Sequence, residues 1–508
     1  MAYQSMVYGF VFLPLCLAAY QAAPQRWRGR VLLAFSYLFF WLLSGKLIVY
    51  LLGTTVFVHC VAIWVNWLRP EKKKARRALT FGVLVLLGVL AYLKYYNFFV
   101  GNVTGIFDGM LPFTLEEKKI LMPVGISFYT LQAIGYMADV YWGKIRAEEK
   151  LEKTALFLAF FPQIMEGPIC RHSDTCDALY SGKPLEVNNL TNGYIRIFWG
   201  LFKKKVIADR LAIGVDGIFG NYTSYSGVMV VFAAVAYTVQ LYMEFSGCMD
   251  IIIGSGQLFG VTLPENFRQP FCAQSAAEFW RRWHITLGTW FKTYIFYPVS
   301  MSAPVKRWNQ YGRKHFGRYV TMLGTSAMAL FPVWLCNGLW HGARWSYIFY
   351  GMYYFTLILL GIAVEPVRDR ILKALHISEK SIGLKYARIA KTWLIIFTGE
   401  LFFRADGLRA GIYMFRSIFR NFDPGNIMDG SLLELGMSRA DFIAVAAGCI
   451  VVAIVGSVKE RGLNVRGSLE RKPVFIRWSL YYALMLAVIV IAAYGDGYQV
   501  IDMIYAGF

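Results

Sequence analysis

The sequence predicts an all-α, polytopic integral membrane protein, and two observations lead to that prediction. Apolar residues make up 57% of the 508-residue chain and charged residues only 16%, with a mean hydropathy of +0.46. Soluble globular chains carry about 25% charged residues, so this low charged fraction is typical of a protein embedded in a membrane. Apolar segments also recur along the whole length, and several reach the ~20 residues that a helix needs to cross a bilayer. We therefore expect roughly ten to twelve transmembrane helices.

The individual elements follow from the positions of these apolar segments. Spanning helices are predicted at 7–20, 31–43, 47–68, 79–100, 120–142, 227–245, 319–340, 345–364, 440–457 and 478–494. Shorter apolar segments predict re-entrant or interfacial helices near 155–169, 248–263, 286–299 and 392–403. The first segment has no Lys or Arg before its apolar core, so it predicts a transmembrane helix and not a cleaved signal. Without repeats, low-complexity tracts or long linkers, the sequence predicts a single membrane domain over residues 1–508.

The formal net charge of +21 does not predict a nucleic-acid-binding protein, because the cations lie in short blocks between apolar segments. These blocks are residues 26–30, 69–77, 203–205, 306–318, 368–391 and 459–472. Cytoplasmic loops have this pattern under the positive-inside rule. Such loops predict contact with anionic membrane lipid, and docking of an acidic partner or an anionic donor is the alternative for any one block.

The cysteine pattern predicts no metal site and no disulfide framework. The eight cysteines stand at positions 16, 60, 170, 176, 248, 272, 336 and 449. They form no C-x-x-C motif and no Cys/His ligand spacing, and most lie in apolar segments, where cysteine behaves as a small hydrophobic residue. A Gly-rich phosphate loop is also missing from the sequence, so we expect no bound cofactor.

His341 is an ionisable residue inside an apolar segment, in the sequence NGLWHGARW at 337–345. Ionisable groups at membrane depth are costly, which makes this histidine a functional candidate. Gly338 and Gly342 remove side chains beside the ring, which permits close approach either of a thin substrate or of another helix. Trp340 would wall an acyl slot or, alternatively, anchor the helix at the membrane interface.

His284 lies in EFWRRWHITLGTWF at 278–291, which we interpret as one amphipathic helix. At 100° per residue, His284 shares a face with Trp280 and Leu287, whereas Arg282 points almost opposite. The helix either lies in the membrane interface, with the histidine as one more amphipathic side chain, or presents the imidazole to a reaction site.

Acidic residues also occur in apolar surroundings. Glu244 and Asp250 lie in LYMEFSGCMDIII, where each would orient a histidine or serve a structural role. Glu166 is followed by Gly-Pro, which predicts a helix break and a re-entrant turn.

A buried, neutral imidazole that faces a slot predicts base chemistry. Burial disfavours the charged ring, and the neutral ring can take a proton from a hydroxyl as its oxygen attacks a carbonyl, an effect of about 10²–10⁴-fold in rate. A thioester donor needs no metal for this step. The sequence has no G-x-S-x-G motif that would predict a covalent hydrolase intermediate.

Taken together, these motifs resemble the membrane-bound O-acyltransferase (MBOAT) family, in its AlgI/DltB-like bacterial branch of alginate O-acetylation and D-alanyl transfer proteins. The resemblance covers most of the chain and is closer to the AlgI type. It rests on MPVGISFYTLQAIGYMADVYWG at 122–143, FPQIMEGPICR at 161–171, FSGCMDIIIGSGQLFG at 245–260, ENFRQPF at 265–271, EFWRRWHITLGTWF at 278–291, GLWHGA at 338–343 and ELFFRAD at 400–406. The combination of RRWH, a basic segment and then GLWHGA is highly specific.

The resemblance implies that His341, in the WHG motif, is the catalytic residue and that His284, in the WRRWH motif, is the second signature residue. It implies a helical ring around a thin centre with a tunnel between the two faces. The implied reaction moves an acyl group from a cytoplasmic thioester to an outer acceptor, with an extracytoplasmic partner of SGNH or DltD-like type. Around these histidines we assign substrate binding to Trp340, Gly338, Trp283, Arg281, Arg282, Asp250 and Glu244.

The leading hypothesis is acetyl transfer from acetyl-CoA or an acyl carrier protein to an extracytoplasmic polysaccharide, at the bacterial cytoplasmic (inner) membrane. One alternative is D-alanyl transfer to teichoic acid from a carrier protein. Another is a transporter or flippase with a proton-relay histidine, although such proteins show inverted repeats that this sequence lacks. Glu244 stands where the family usually has aspartate and Cys248 where it usually has tyrosine, and these departures leave the acceptor open.

The basic segment 306–318 lies between the two histidine motifs in the sequence and predicts a surface on the donor side. The cations assigned to donor or carrier docking are Lys306, Arg307, Arg313 and Lys314. Positive charge there would attract an anionic donor or an acidic carrier protein.

Overall fold

A computed structural model describes residues 2–107 and 116–494 of the chain, and every regular element within them is a helix. Helices account for 78% of the described residues. The predicted all-α class is therefore confirmed. The single-domain prediction covers residues 1–508, of which 1, 108–115 and 495–508 lie outside the described residues.

The α-helices are numbered in chain order. The first ten are α1 (Leu13–Ala22), α2 (Gln25–Ser44), α3 (Ile48–Trp67), α4 (Lys72–Ile106), α5 (Ile126–Tyr141), α6 (Leu151–Ala159), α7 (His172–Ser181), α8 (Val187–Leu201), α9 (Asp209–Gly220) and α10 (Gly227–Leu258). The next eleven are α11 (Ala276–Arg282), α12 (Ile285–Phe291), α13 (Tyr297–Ser300), α14 (Ala303–His315), α15 (Gly317–His341), α16 (Trp345–Ala374), α17 (Ile382–Arg404), α18 (Leu408–Arg420), α19 (Arg439–Glu460), α20 (Val465–Glu470) and α21 (Val474–Ile491). π-Helical turns occupy Tyr8–Phe12, Phe202–Ala208 and Lys292–Phe296.

Seven helical stretches in the described part of the chain are long and apolar enough to cross a membrane. They are Gln25–Trp67, Lys72–Ile106, Gly227–Leu258, Gly317–His341, Trp345–Ala374, Arg439–Glu460 and Val474–Ile491. The protein is thus a multi-pass membrane protein. Seven is fewer than the ten to twelve spans expected, partly because Gln25–Trp67 joins α2 and α3, two helices of 20 residues each. The predicted spans 7–20 and 120–142 also form helices shorter than 18 residues.

Two compact units divide the described residues. The first contains residues 2–107, 116–200 and 248–265, and the second contains residues 201–247 and 266–494. The first unit has α5 at its centre, because 15 of the 16 residues of that helix are buried. Helix α5 lies in a segment predicted as a membrane span, but protein surrounds it.

The helix break that Gly-Pro predicted after Glu166 occurs earlier in the first unit, because α6 already ends at Ala159. Residues 160–171 form buried turns and extended chain between α6 and α7. Buried non-helical backbone needs hydrogen-bond partners inside the protein. The Tyr3 hydroxyl donates to the Phe161 carbonyl at 2.7 Å, and Ser36 Oγ accepts from Phe161 N at 3.1 Å. The Cys248 thiol donates to Glu166 Oε1 at 2.9 Å, so a helix of this unit holds the carboxylate.

Helices α15 and α16 of the second unit pack backbone against backbone. A Cβ atom added to Gly338 would overlap the Tyr347 carbonyl oxygen, and one added to Gly351 would overlap the Trp334 carbonyl oxygen. Small residues at such a crossing allow close helix approach in membranes. Pro332 lies inside α15 without ending it.

Two basic segments of the second unit differ from the loops that we expected. The segment 306–318 is mostly the helix α14, which packs on α15 through Trp308, whose indole N–H donates to the Thr321 carbonyl at 3.0 Å. The segment 203–205 is wrongly predicted as a solvated loop, because Lys203 and Lys204 are buried in a π-helical turn.

Buried acids account for this second difference. The Lys204 ammonium lies 2.8 Å from Asp209 Oδ1 and 2.9 Å from Glu244 Oε1. Lys203 donates to Ser246 Oγ at 2.9 Å. Charges can be buried where they are paired and hydrogen-bonded, so these lysines stabilise the interior of the unit instead of facing the membrane surface.

Candidate functional site

His341 is the last residue of α15 and is buried among aromatic rings of the second unit. Its ring lies edge-to-face with Phe403 at 5.0 Å between centroids, with Trp340 at 5.0 Å and with Tyr350 at 5.8 Å. Tyr347 is a fourth ring neighbour at 6.3 Å. Edge-to-face contacts are the favoured geometry of aromatic pairs. They therefore fix the direction in which the imidazole points.

A buried acid lies one contact beyond this cage. The Tyr350 hydroxyl donates to Glu400 Oε1 at 2.8 Å, and Glu400 is 1% exposed on α17. Because the Tyr350 ring also contacts His341, this hydrogen bond sets the position of one wall of the histidine cage. Sequence reasoning assigned no role to Glu400, although ELFFRAD carries the same signal of an acid among apolar residues that identified Glu244 and Asp250.

His284 lies between two short helices and not within one long helix. The prediction of a single helix over 278–291 was wrong, because α11 ends at Arg282 and α12 begins at Ile285. His284 has φ 46° and ψ 51°, in the left-handed region. That conformation costs about 1–3 kcal/mol for a residue other than glycine and persists only where its surroundings enforce it.

Asn266 enforces the break at His284. Its side-chain Oδ1 accepts from Thr286 N at 3.0 Å and from Thr286 Oγ1 at 2.9 Å, and its carbonyl accepts from Ile285 N at 3.0 Å. Asn266 is fully buried. Sequence reasoning missed it, although it lies in the ENFRQPF motif.

The same asparagine determines the tautomer of His284. Nδ1 of the ring lies 3.3 Å from Asn266 Oδ1, which can only accept, so Nδ1 carries the proton and Nε2 is the basic nitrogen. Burial lowers the pKa of His284, which keeps the ring neutral near pH 7. A neutral ring with a defined acceptor atom is suited to bind or deprotonate a hydroxyl.

Trp340 joins the two histidines into one site. Its ring contacts the His284 ring at 5.5 Å and the His341 ring at 5.0 Å. On the other side of His284 lies Phe245, at 4.9 Å. Two imidazoles on one indole, enclosed by further aromatic rings, form the candidate active site.

Two of the residues assigned to substrate binding beside His284, Trp283 and Arg282, have other partners. Trp283 stacks on Phe279 at 5.3 Å, within an aromatic cluster. Arg282 is ion-paired with Glu278 at 2.8 Å and with Glu460 at 2.7 Å, and Arg281 is exposed. These contacts give Trp283 and Arg282 structural functions in the second unit.

Gly338, Glu244 and Asp250 also have partners within the protein, and their assignment to substrate binding stays a prediction. The space beside Gly338 is filled by the carbonyl of the neighbouring helix, so this glycine permits the close helix packing that we gave as the alternative. Glu244 is the buried partner of Lys204, described above. Asp250 belongs to the first unit, where its carboxylate lies 2.9 Å from Arg196 Nε.

The cations assigned to donor docking lie on one exposed face of α14. Lys306 and Arg313 are seven residues apart, and Arg307 and Lys314 repeat the same spacing, so the four side chains share a face. All four are exposed, whereas Val305 and Gly312 are buried on the opposite side. Although the segment is a helix and not a loop, its charge faces outward.

The fold and the site define a class: a multi-pass α-helical membrane protein with a buried, aromatic-walled histidine pair. The model of the membrane-bound O-acyltransferase family, MBOAT, matches residues 150–372. The chain is 34% identical over 455 residues to a probable alginate O-acetylase, AlgI, of Pseudomonas syringae, covering 89% of this chain and 80% of that protein.

More distant relatives match as well. A peptidoglycan O-acetyltransferase of Helicobacter pylori is 30% identical, covering 80% of this chain and 78% of that protein. A teichoic acid D-alanyltransferase of Bacillus subtilis is 25% identical, covering 54% of this chain and 71% of that protein. The chain belongs to the membrane-bound O-acyltransferase family, as the motifs indicated, and it is an O-acyltransferase.

Proposed function

We propose that this enzyme moves an acetyl group from a cytoplasmic thioester across the bacterial inner membrane to a polysaccharide of the cell envelope. Acetyl-CoA or an acyl carrier protein would be the donor, and no bound cofactor is needed. The pattern of relatives supports acetyl transfer, because the two O-acetylating relatives align over 80–89% of the chain and the D-alanyltransferase over 54%. The single observation that carries the proposal is the buried pair of histidines on Trp340.

His341 acts as the general base in this proposal. It takes the proton of the acceptor hydroxyl while that oxygen forms a bond to the thioester carbonyl carbon. The carbon–sulfur bond then breaks, and the proton passes from the imidazolium to the departing thiolate, which leaves as a free thiol. Positioning of a base in this way contributes about 10²–10⁴-fold in rate. The charge therefore balances without a metal ion.

His284 and Trp340 position the reactants. The neutral Nε2 of His284 is a hydrogen-bond acceptor for an incoming hydroxyl. Trp340, between the rings, forms an apolar wall against which a short acyl chain can lie. The exposed cations of α14 would hold the anionic donor, and an extracytoplasmic SGNH-type or DltD-like partner would pass the acyl group to the polymer.

The experiment measures acyl transfer by purified enzyme in proteoliposomes. Radiolabelled acetyl-CoA is supplied on one side only, with the polysaccharide and the extracytoplasmic partner on the other. His341→Ala should lower transfer by about 10²–10⁴-fold while the protein still inserts and unfolds at the same temperature. Added imidazole should restore part of the rate by entering the vacated space.

The matched control is His376→Asn. His376 is exposed and has φ 52°, a conformation that asparagine tolerates, so transfer should be unchanged. Wild-type transfer by His341→Ala would refute the base assignment. Label transfer from a D-alanyl carrier thioester to teichoic acid, with none from acetyl-CoA, would replace the acetyl part of the proposal.

A further inference from the structure

Three side chains with metal-ligand chemistry meet at the start of α7 in the first unit. His172 and Cys176 are four residues apart on this helix and so lie on one face. Glu148, in the chain before α6, completes the group, and the three potential ligand atoms lie within 4.8 Å of one another. We propose that Glu148, His172 and Cys176 bind a zinc ion, a function separate from acyl transfer.

The imidazole of His172 gives independent support for a ligand at this point. His172 is 9% exposed, and its buried Nε2 has no hydrogen-bond partner within the described part of the chain. Tyr136 and Phe157 contact the ring at 4.8 Å and 5.1 Å between centroids and hold it in place. A buried polar atom without a partner costs free energy, and coordination of a metal would remove that cost.

The backbone around the group is held rigidly. Tyr136 accepts a hydrogen bond from Glu148 N at 2.8 Å through its hydroxyl oxygen, which fixes the loop that carries the carboxylate. His172 and Cys176 are fixed by the helix itself. Tetrahedral zinc, with bonds of about 2.0–2.3 Å, places its ligand atoms roughly 3.3–3.6 Å apart. Small side-chain rotations are therefore enough to bring the three atoms to bonding distance.

The donor set selects the metal. Thiolate, imidazole and carboxylate together suit Zn²⁺, whereas Mg²⁺ and Ca²⁺ prefer oxygen ligands alone. One thiolate and one carboxylate also neutralise the charge of the ion, which lowers the cost of placing it in a buried site. Three protein ligands leave the fourth tetrahedral position for water.

Lys153 competes with the metal. Its ammonium lies 3.5 Å from Glu148 Oε1, so zinc must displace this cation from the carboxylate. Removing the charge with Lys153→Met should therefore tighten zinc binding, whereas a purely structural Glu148–Lys153 ion pair predicts no zinc binding with or without the lysine.

The test titrates metal-stripped, full-length protein in detergent with Zn²⁺ against a chromophoric chelator, and separately with Co²⁺. We expect one high-affinity site and a thiolate-to-cobalt charge-transfer absorption. Cys176→Ser should abolish that absorption, and both Cys176→Ser and His172→Gln should weaken Zn²⁺ binding by more than about 100-fold. Zn²⁺ should raise the unfolding temperature of the wild type and not of these variants.

The control is Cys60→Ser, since Cys60 is a free thiol outside the proposed site. It should leave the affinity and the cobalt absorption unchanged. The proposal is overturned if the wild type binds no zinc, if the cobalt absorption depends on Cys60, or if both His172→Gln and Cys176→Ser bind zinc as tightly as the wild type.

Discussion

Replacing Gly338 by alanine tests how closely the position of His341 depends on the crossing of α15 and α16. The added methyl would overlap the Tyr347 carbonyl oxygen and would also lie 3.3 Å from the Ile348 Cα, whereas ordinary contact begins near 3.4 Å. Both obstacles are backbone atoms of α16 and cannot rotate away. The two helices must therefore separate by roughly 1 Å, because protein interiors hold no spare space for a methyl group.

The size of the effect follows from this displacement. Overpacking of this kind costs about 1–3 kcal/mol of stability. His341 is three residues beyond Gly338 on the same helix, so its ring moves with the crossing. A 1 Å misplacement of a catalytic group can cost about 10²-fold in rate. We therefore expect Gly338→Ala to unfold at a lower temperature and to transfer acyl groups about 100-fold more slowly.

The assay compares thermal unfolding in detergent with the initial rate of acyl transfer. Gly361→Ala on α16 is the matched control, because nothing lies within 4 Å of its added Cβ. Alanine there should raise stability slightly, by up to about 1 kcal/mol of helix propensity, with the rate unchanged. If Gly338→Ala matched the wild type in both measurements, the close crossing would not position the histidine.

Three further predictions concern buried and exposed charge. Glu400→Leu should leave the Tyr350 hydroxyl without its acceptor, lower the free energy of unfolding by about 1–3 kcal/mol and slow acyl transfer. Glu400→Gln keeps an acceptor and should retain most of the stability and of the transfer rate. Equal losses in the two variants would contradict this reasoning. Lys204→Met should leave Glu244 buried without its cation and cost about 3–5 kcal/mol, and a double variant with Glu244→Met should unfold at a higher temperature than the single one. Reversing the four α14 cations should raise the donor KM, most strongly at low salt, whereas Arg471→Glu, an exposed residue outside α14, should not. An unchanged KM after the reversal would remove α14 as the donor surface.

The fold class could be predicted because apolar segments of about 20 residues are typical of transmembrane helices and rare in soluble proteins. The number of spanning helices was harder to predict, because hydropathy reports only that a segment avoids water. It does not say whether lipid or protein takes the place of water. Helix α5 shows the difference, since its sequence reads like a membrane span while 15 of its 16 residues are buried.

The candidate site could be predicted in part. His341 was identified as an ionisable residue in an apolar segment, a signal that is local in sequence. The break at His284 was missed because every residue around it is compatible with a helix, and the hydrogen bonds that interrupt the helix come from Asn266, 18 residues earlier. The burial of Lys204 was missed in part for the same reason, since one of its two acidic partners, Glu244, is 40 residues away.

The hydrogen bonds between Asn266 and Thr286 have a practical consequence for engineering. They connect the backbone after His284 to the segment that precedes α11, so residues 266–286 form one structural unit. Exchanging single residues between relatives in this region would separate His284 from the Asn266 side chain that orients its ring. Residues 266–286 should therefore be exchanged between relatives as one unit, so that His284 keeps the hydrogen bonds that orient its ring.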